Sequence, residues 1–417
     1  MIDNTKVQLM QKMFYEAVNE AKPENLFEKI YENYFLNRFF RKVFVTGFGK
    51  ASAAMASALE KNLSKDFCKE FYGKIIVPDG YSVECNKIDI LLGSHPIPDK
   101  RSLLASQKIL DETKNLTSDD LLVVLISGGG SSLFCLPHDG ISLKQKQDIN
   151  NELLKSGASI KEINCVRKHL SKVKGGNLAK IAYPAECISL AISDVPGDLP
   201  SVIASGPTVS DETSCKNALE VVDKYHIKIS NLIRSNLSSY KFETPFKDDK
   251  MLKSSSYHLL ATPKKSLDAA AKLAKKSGFE PIILGDKLEG YSRELATWMS
   301  SKVIEFGKGK ALISGGETTV IVRGNGIGGR NVEFLNALCL EGNFFALAAD
   351  TDGVDGADNV AGAFITPDIL SKSEKLGINP RKFLDNNDSH TFFKLIGNQI
   401  ITGPTFTNVN DFRVILT

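Results

Sequence analysis

Hydrophobic residues along this chain gather in two patterns, short charge-poor runs and stretches with one apolar face at helical spacing, and the two alternate from end to end. Lys42–Phe48, Gly73–Pro78, Ile88–Leu92, Leu121–Ile126 and Cys187–Ser193 are runs of mostly branched apolar residues, as expected of strands covered on both faces. Between them, Ser102–Leu116 and Ser142–Ile160 have helical period. Val7, Met10, Phe14, Ala17, Val18 and Ala21 place a helix ahead of all the strands, and Asn25–Tyr34 reads as a second amphipathic stretch. A polar stretch rich in serine and lysine, Ser235–Ser256, then interrupts the pattern. It restarts with strand Tyr257–Ala261, helix Ser266–Ser277, strand Glu280–Leu284, helix Arg293–Phe306 and strand Ala311–Ser314. Val320–Arg323 is a further short run, followed by a helix to Leu340, strand Phe344–Ala349 and a closing strand that starts near Asp411. Strands alternating with helices predict an α/β architecture. With 417 residues the chain exceeds one core of ~100–200 residues, so two α/β domains are expected, 1–240 and 250–417, the final strand being free to pack back on the first.

The candidate chemistry sits where strands run into glycines. Leu121–Ile126 ends in Ser127-Gly128-Gly129-Gly130-Ser131-Ser132, a sharp turn that exposes backbone N–H groups and suits an anion. Ser314-Gly315-Gly316-Glu317 partly echoes it, and two such turns in two halves suggest a cleft between domains. Gly47-Phe48-Gly49-Lys50 puts an ammonium at a helix start, which reads either as an anion site or as a surface lysine. It is neither a Walker A loop nor a full dinucleotide fingerprint, since no Ser or Thr follows the lysine directly and the third glycine is missing. His95 lies on a proline-flanked loop after a strand, as a ligand or as a structural histidine. Arg167 and Lys174 belong to a basic run that ends in Gly175-Gly176 and reads as one wall of a small anionic site. Asp194 follows a buried strand, a costly place for a carboxylate unless it is catalytic or metal-bound. Gly328-Gly329-Arg330-Asn331 precedes a helix and can bring a guanidinium to a phosphate in bidentate geometry. Asp350 to Asn359 is acidic but spaced unlike a calcium loop, and Asp352 within it suits Mg²⁺ or a self-capping turn.

Composition narrows the classes further. A net charge of +3 with basic and acidic residues interspersed provides no footprint for nucleic acid. Seven cysteines without paired spacing fit reduced thiols rather than a disulfide framework or a zinc site. No apolar run approaches the ~18 residues of a membrane span, and the mixed N-terminus lacks the apolar region of a secretory signal. A cytoplasmic enzyme is expected, with a homodimer as the candidate assembly.

Taken in order, Gly47–Ser52, Gly93–Asp99, Ser127–Ser132, Val166–Asn177, Ser193–Pro207, Gly315–Thr319, Gly328–Glu333, Asp350–Gly362 and Gly403–Asp411 resemble the class II glycerate 2-kinases. The C-terminal part is similar to the MOFRL domain. The resemblance implies an N-terminal Rossmann-like parallel sheet and a smaller C-terminal α/β domain with the active site in the cleft between them. It implies phosphoryl transfer from ATP to the 2-hydroxyl of D-glycerate, with Mg²⁺. Carried onto this sequence, it assigns catalysis to Lys50, Asp194 and Arg330, and metal binding to Asp194 and Asp352. It matches Ser127, Gly128, Gly129, Gly130, Ser131 and Ser132 to the family's phosphate-handling segment, and Gly49, His95, Arg167, Lys174, Gly315, Gly316, Glu317, Asn331, Thr405 and Asn408 are further candidate substrate and phosphate contacts. Two positions depart from the family pattern: Phe406 stands where a glycine is usual, and Pro263-Lys264-Lys265 replaces an asparagine-rich helix start. Two rival readings are a hydroxypyruvate reductase, which would need a nicotinamide site, and a non-catalytic sensor of anions or sugar phosphates.

Overall fold

The computed structural model describes residues 4–63, 67–356 and 359–417. The chain forms two compact units, Leu26–Leu260 and a second made of Met1–Asn25 with Ala261–Thr417. In the first unit the strands are β1 (Phe40–Phe48), β2 (Cys68–Pro78), β3 (Ile88–Gly93), β4 (Asp120–Ile126), β5 (Glu186–Ile192) and β6 (Ser255–Ala261), in the order β3-β2-β1-β4-β5-β6. The pairs β2/β3, β1/β2, β1/β4 and β4/β5 are parallel. Every residue of β4 is fully buried, which is why its sequence shows no alternation. The helix Ser52–Asn62 buries Ser52 through Leu59; its alanines and serines let the backbone come close to the sheet. Four helices, Leu143–Lys155, Ile160–His169, Cys215–Lys224 and Asn231–Ser238, make a satellite core around Ile149, Leu153, Val166 and Val222.

The second unit holds β7 (Glu280–Leu288), β8 (Lys310–Gly316), β9 (Phe345–Asp350), β10 (Gly362–Ile365), β11 (Gln399–Ile400) and β12 (Asp411–Leu416), in the order β11-β10-β9-β12-β8-β7. Only β7/β8 is parallel among these pairs. Strand side chains alternate between two covers. Ile313, Leu347 and Phe412 meet the helices Asn4–Glu20 and Pro263–Lys276, while Leu312, Ala346 and Ile415 meet helices Ser292–Phe306 and Arg330–Glu341.

Several expectations need correction. The helix at the N-terminus belongs to the second unit: Phe14 packs on Phe412 with ring centroids 6.0 Å apart, because the sheet face of Ile313, Leu347 and Phe412 must be buried. Tyr257–Ala261 does not open the second domain; as β6 it extends the first sheet beside β5, since a short apolar run carries no mark of which edge it joins. The final strand does not return to the first unit. β12 pairs with β8 and β9, and its residues are buried from Asp411 to Leu416. Asn25–Tyr34 forms two short helices, Pro23–Leu26 and Ile30–Tyr34, rather than one, and the short run Val320–Arg323 is irregular.

Candidate active site

In the first unit the order of strands reverses at β1 and β4, the place where open α/β sheets bind ligands. The turns after these two neighbours are sewn together. Lys50 N–H donates to the Gly128 carbonyl at 2.9 Å, and Ala51 N–H donates to Ser127 Oγ at 3.0 Å. Gly49, at φ 137°, lies so close to this turn that a Cβ would meet Ser127 Oγ at 2.2 Å. Gly129, at φ 84°, starts the one-turn helix Gly130–Leu133, and a Cβ there would stand 2.9 Å from the His95 ring. The Lys50 ammonium lies 5.8 Å from the Tyr81 ring centre. Lys174, 1% exposed, donates from Nζ to the Ser131 carbonyl at 2.7 Å, while Ser131 Oγ shares a 2.7 Å hydrogen bond with Ser205 Oγ. Ala204 and Ser205 hold left-handed φ values of 51° and 62°, a conformation that costs on the order of 1–3 kcal/mol each and tends to persist at functional sites.

Thus Gly49, Lys50, His95, Ser127 through Ser132 and Lys174 form one constellation. Arg167 is anchored on Asn150 at 3.2 Å and partly buried, and that burial lowers its guanidinium below its usual range. Asp194 follows β5, next in the sheet to β4, and its charge reaches the buried Tyr257 phenol, which burial first and Asp194 second push above its ordinary range. Ser205 and Tyr257 carried no sequence signal beyond their neighbourhood; what marks them is left-handed backbone in one case and a buried hydroxyl lacking a hydrogen-bond partner in the other.

The second unit gathers carboxylates at the matching ends of three adjacent strands. Asp350 ends β9, Asp411 opens the antiparallel β12 directly opposite it, and Glu317 follows β8. Arg330 reaches all three: Nε to Asp411 at 2.8 Å, one terminal nitrogen to Glu317 at 2.8 Å and the other to Asp350 at 2.7 Å. Burial works against this charge, but Asp411, Asp350 and Glu317 outweigh it and hold the guanidinium above its ordinary range. The planar fork expected for phosphate is therefore engaged by carboxylates. Burial first, then the like charge of Asp352, pushes the Asp350 carboxyl well above the usual range. Asp355 anchors the helix start beneath Arg330, accepting from the backbone N–H groups of Asn331 at 3.1 Å and Val332 at 3.0 Å. Asn331 in turn donates to Asp411 at 2.7 Å. Thr405 donates to the Thr351 carbonyl at 2.5 Å and Asn408 accepts from the Asn410 N–H at 3.0 Å, shaping the loop before β12.

Gly315 and Gly316 lie inside β8 rather than in an anion turn. At φ 110°, Gly316 makes room for the Leu288 backbone, which a Cβ would meet at 2.2 Å; a shared Ser-Gly-Gly motif does not distinguish a turn from a close strand crossing. In the acidic stretch, Ala357 and Asp358 lie outside the described residues. Asp411 and Asp355 were not singled out in the sequence, because their partners are distant in the chain.

One unit is an α/β sheet with a glycine turn at its reversal point, the place where open sheets of this class bind ligands, and the other is a mixed sheet with an arginine set among carboxylates. The family described as "Domain of unknown function (DUF4147)" matches residues 9–238, and the MOFRL family matches residues 310–411. A D-glycerate 2-kinase of Thermotoga maritima is 40% identical over 354 residues, covering 82% of this chain and 83% of that protein. A relative in Agrobacterium vitis that bears a hydroxypyruvate reductase name is 44% identical over 357 residues, covering 82% of this chain and 81% of its own. The crystal structure of a glycerate kinase from Thermotoga maritima superposes with a TM-score of 0.90 at 36% identity, covering 99% of both chains. The chain belongs to the glycerate kinase family, with a DUF4147 N-terminal and a MOFRL C-terminal domain.

Proposed function

We propose that this chain transfers the γ-phosphoryl group of ATP to the 2-hydroxyl of D-glycerate, giving 2-phosphoglycerate and ADP. The observation that carries the reading is the turn of Ser127–Ser132 bonded to Lys50 at the reversal point of the first sheet. Phosphoryl transfer asks chiefly for positioning and charge neutralisation. In this reading the turn's N–H groups and Lys50 hold the negative charge of the transferred group, and Asp194 accepts the proton of the attacking hydroxyl. Arg330, released from one carboxylate partner, binds an anionic oxygen. The acid-rich surroundings of Asp350 and Asp352, where burial and like charge already disfavour a second ionised carboxyl, fit a divalent cation. Asp352 would help to hold Mg²⁺, which would supply charge neutralisation when bound, and Asp194 would serve either as the proton acceptor or as a metal ligand.

The reductase name of the Agrobacterium relative supports a second reading. Against it stands the turn after β1, where Ser52 occupies the place of the third fingerprint glycine and donates to the Leu125 carbonyl at 3.1 Å. The test is turnover of D-glycerate with ATP and Mg²⁺, the product isomer resolved by ³¹P NMR, beside NADPH oxidation on hydroxypyruvate. Formation of 2-phosphoglycerate is the expected result; NADPH oxidation with no phosphorylated product would replace the kinase reading with the reductase. Lys50→Ala should lower kcat/KM at least ~100-fold.

A further inference from the structure

The helix Leu143–Lys155 turns Ile149 and Leu153 into the satellite core, and Lys146 lies on the same stripe one turn earlier. Lys146 is 3% exposed, and its Nζ is enclosed without a hydrogen-bond partner. Two further cations share its surroundings. The charges of Lys146 and Arg167 both act on Lys174, and that of Arg167 acts on Lys146. Besides burial and cations, the group acting on these two lysines is the Cys135 thiol, and among the described residues no carboxylate does so. The neighbouring acids are engaged elsewhere: Asp211 pairs with Lys168 at 3.1 Å and Glu243 with His169 at 3.1 Å. Lys168 and Asp211 show how this region treats a merely structural lysine, burying it together with its counter-charge. A buried ammonium left without one is strongly unfavourable, so it either stays neutral or waits for an anion.

We infer that Lys146, Lys174 and Arg167 form an anion site beneath the Ser127–Ser132 turn that takes a phosphate group. Three cations match a dianion better than a single carboxylate. Lys174 joins the site to the turn through the Ser131 carbonyl. Ser131 and Arg167, each partly exposed, supply the approach from solvent. Lys146 is the deepest member, and none of the proposed catalytic roles requires it. The inference does not depend on which reaction the chain catalyses, because it is read from binding without turnover.

The test uses the full-length protein with inorganic phosphate, glycerol phosphate and acetate as probes, followed by calorimetric titration and thermal unfolding. Lys146→Met keeps the length and apolar stem but removes the amine. Phosphate or its monoester should raise the Tm of the parent protein, and acetate at equal concentration should raise it much less. Lys146→Met should have a Tm without anion at or above that of the parent and bind phosphate about tenfold more weakly or worse. Lys168→Met, which breaks the neighbouring structural pair, should lower Tm yet keep the phosphate response. Binding of the monoester alone would support the site as one for an esterified phosphate. Unchanged phosphate affinity in Lys146→Met, equal responses to acetate and phosphate, or no response to either phosphate probe would overturn the proposal.

Discussion

At the scale of the residue, Phe406 offers a test of backbone strain. It occupies left-handed backbone at φ 57°. An L-residue pays about 1–2 kcal/mol for that conformation, and glycine returns part of this as greater freedom in the unfolded chain. Phe406→Gly should therefore raise Tm slightly, measured by thermal unfolding. His138 offers a pH test. Burial first, then the charges of Lys146 and Lys172, lower its imidazole from 6.5 to about 4, while the ring stacks on Phe242 at 4.1 Å. Between those values the unfolded chain binds the extra proton. The stability contributed by neutral His138 is complete above 6.5 and is lost as pH falls toward 4, by up to about 3 kcal/mol. Urea unfolding of His138→Gln should show a shallower decline over that window than the parent protein.

Elements are held in register by residues whose roles are visible only in the fold. Gly129→Ala would place a methyl in left-handed backbone and against the His95 ring; it should reduce anion binding and turnover together, which titration and kinetics on the same variant would show. The helix Arg330–Glu341 begins on Asp355, whose two oxygens receive the first backbone N–H groups. Asp355→Ala would leave those donors buried and unpaired, and should cost about 2–4 kcal/mol in urea unfolding while displacing Arg330 and lowering kcat. Gly328 and Gly329 were legible as a loop before a helix. The partner that caps the helix, some 24 residues further on, was not.

For the whole molecule, the second unit is completed by a segment that precedes the first unit in sequence. Phe14 is fully buried in it, and Phe14→Ala should cost about 3–5 kcal/mol. Hydrogen exchange followed by mass spectrometry should show the loss of protection in β8, β9 and β12, with β1 through β5 unchanged. Equal loss in both sheets would show that the two units unfold as one.

The local alphabet of this fold was readable from the chain because hydrophobic period is a property of neighbouring residues. The uncharged β4 run, the alternation of strand and helix, the glycine turn with its hydroxyls and Lys50, and the ordered motifs that resemble the glycerate 2-kinases all appear within short windows. Pairing was not readable in the same way. That Tyr257–Ala261 joins the first sheet, that the N-terminal helix covers the second and that β12 lies between β8 and β9 depend on which apolar faces remain to be buried. The same holds for charge: nothing near Lys146, Asp355 or Asp411 in the sequence names the groups each one meets. Only the tertiary structure decides which of them lose water, and desolvation is what turns a common side chain into a group that must find a partner.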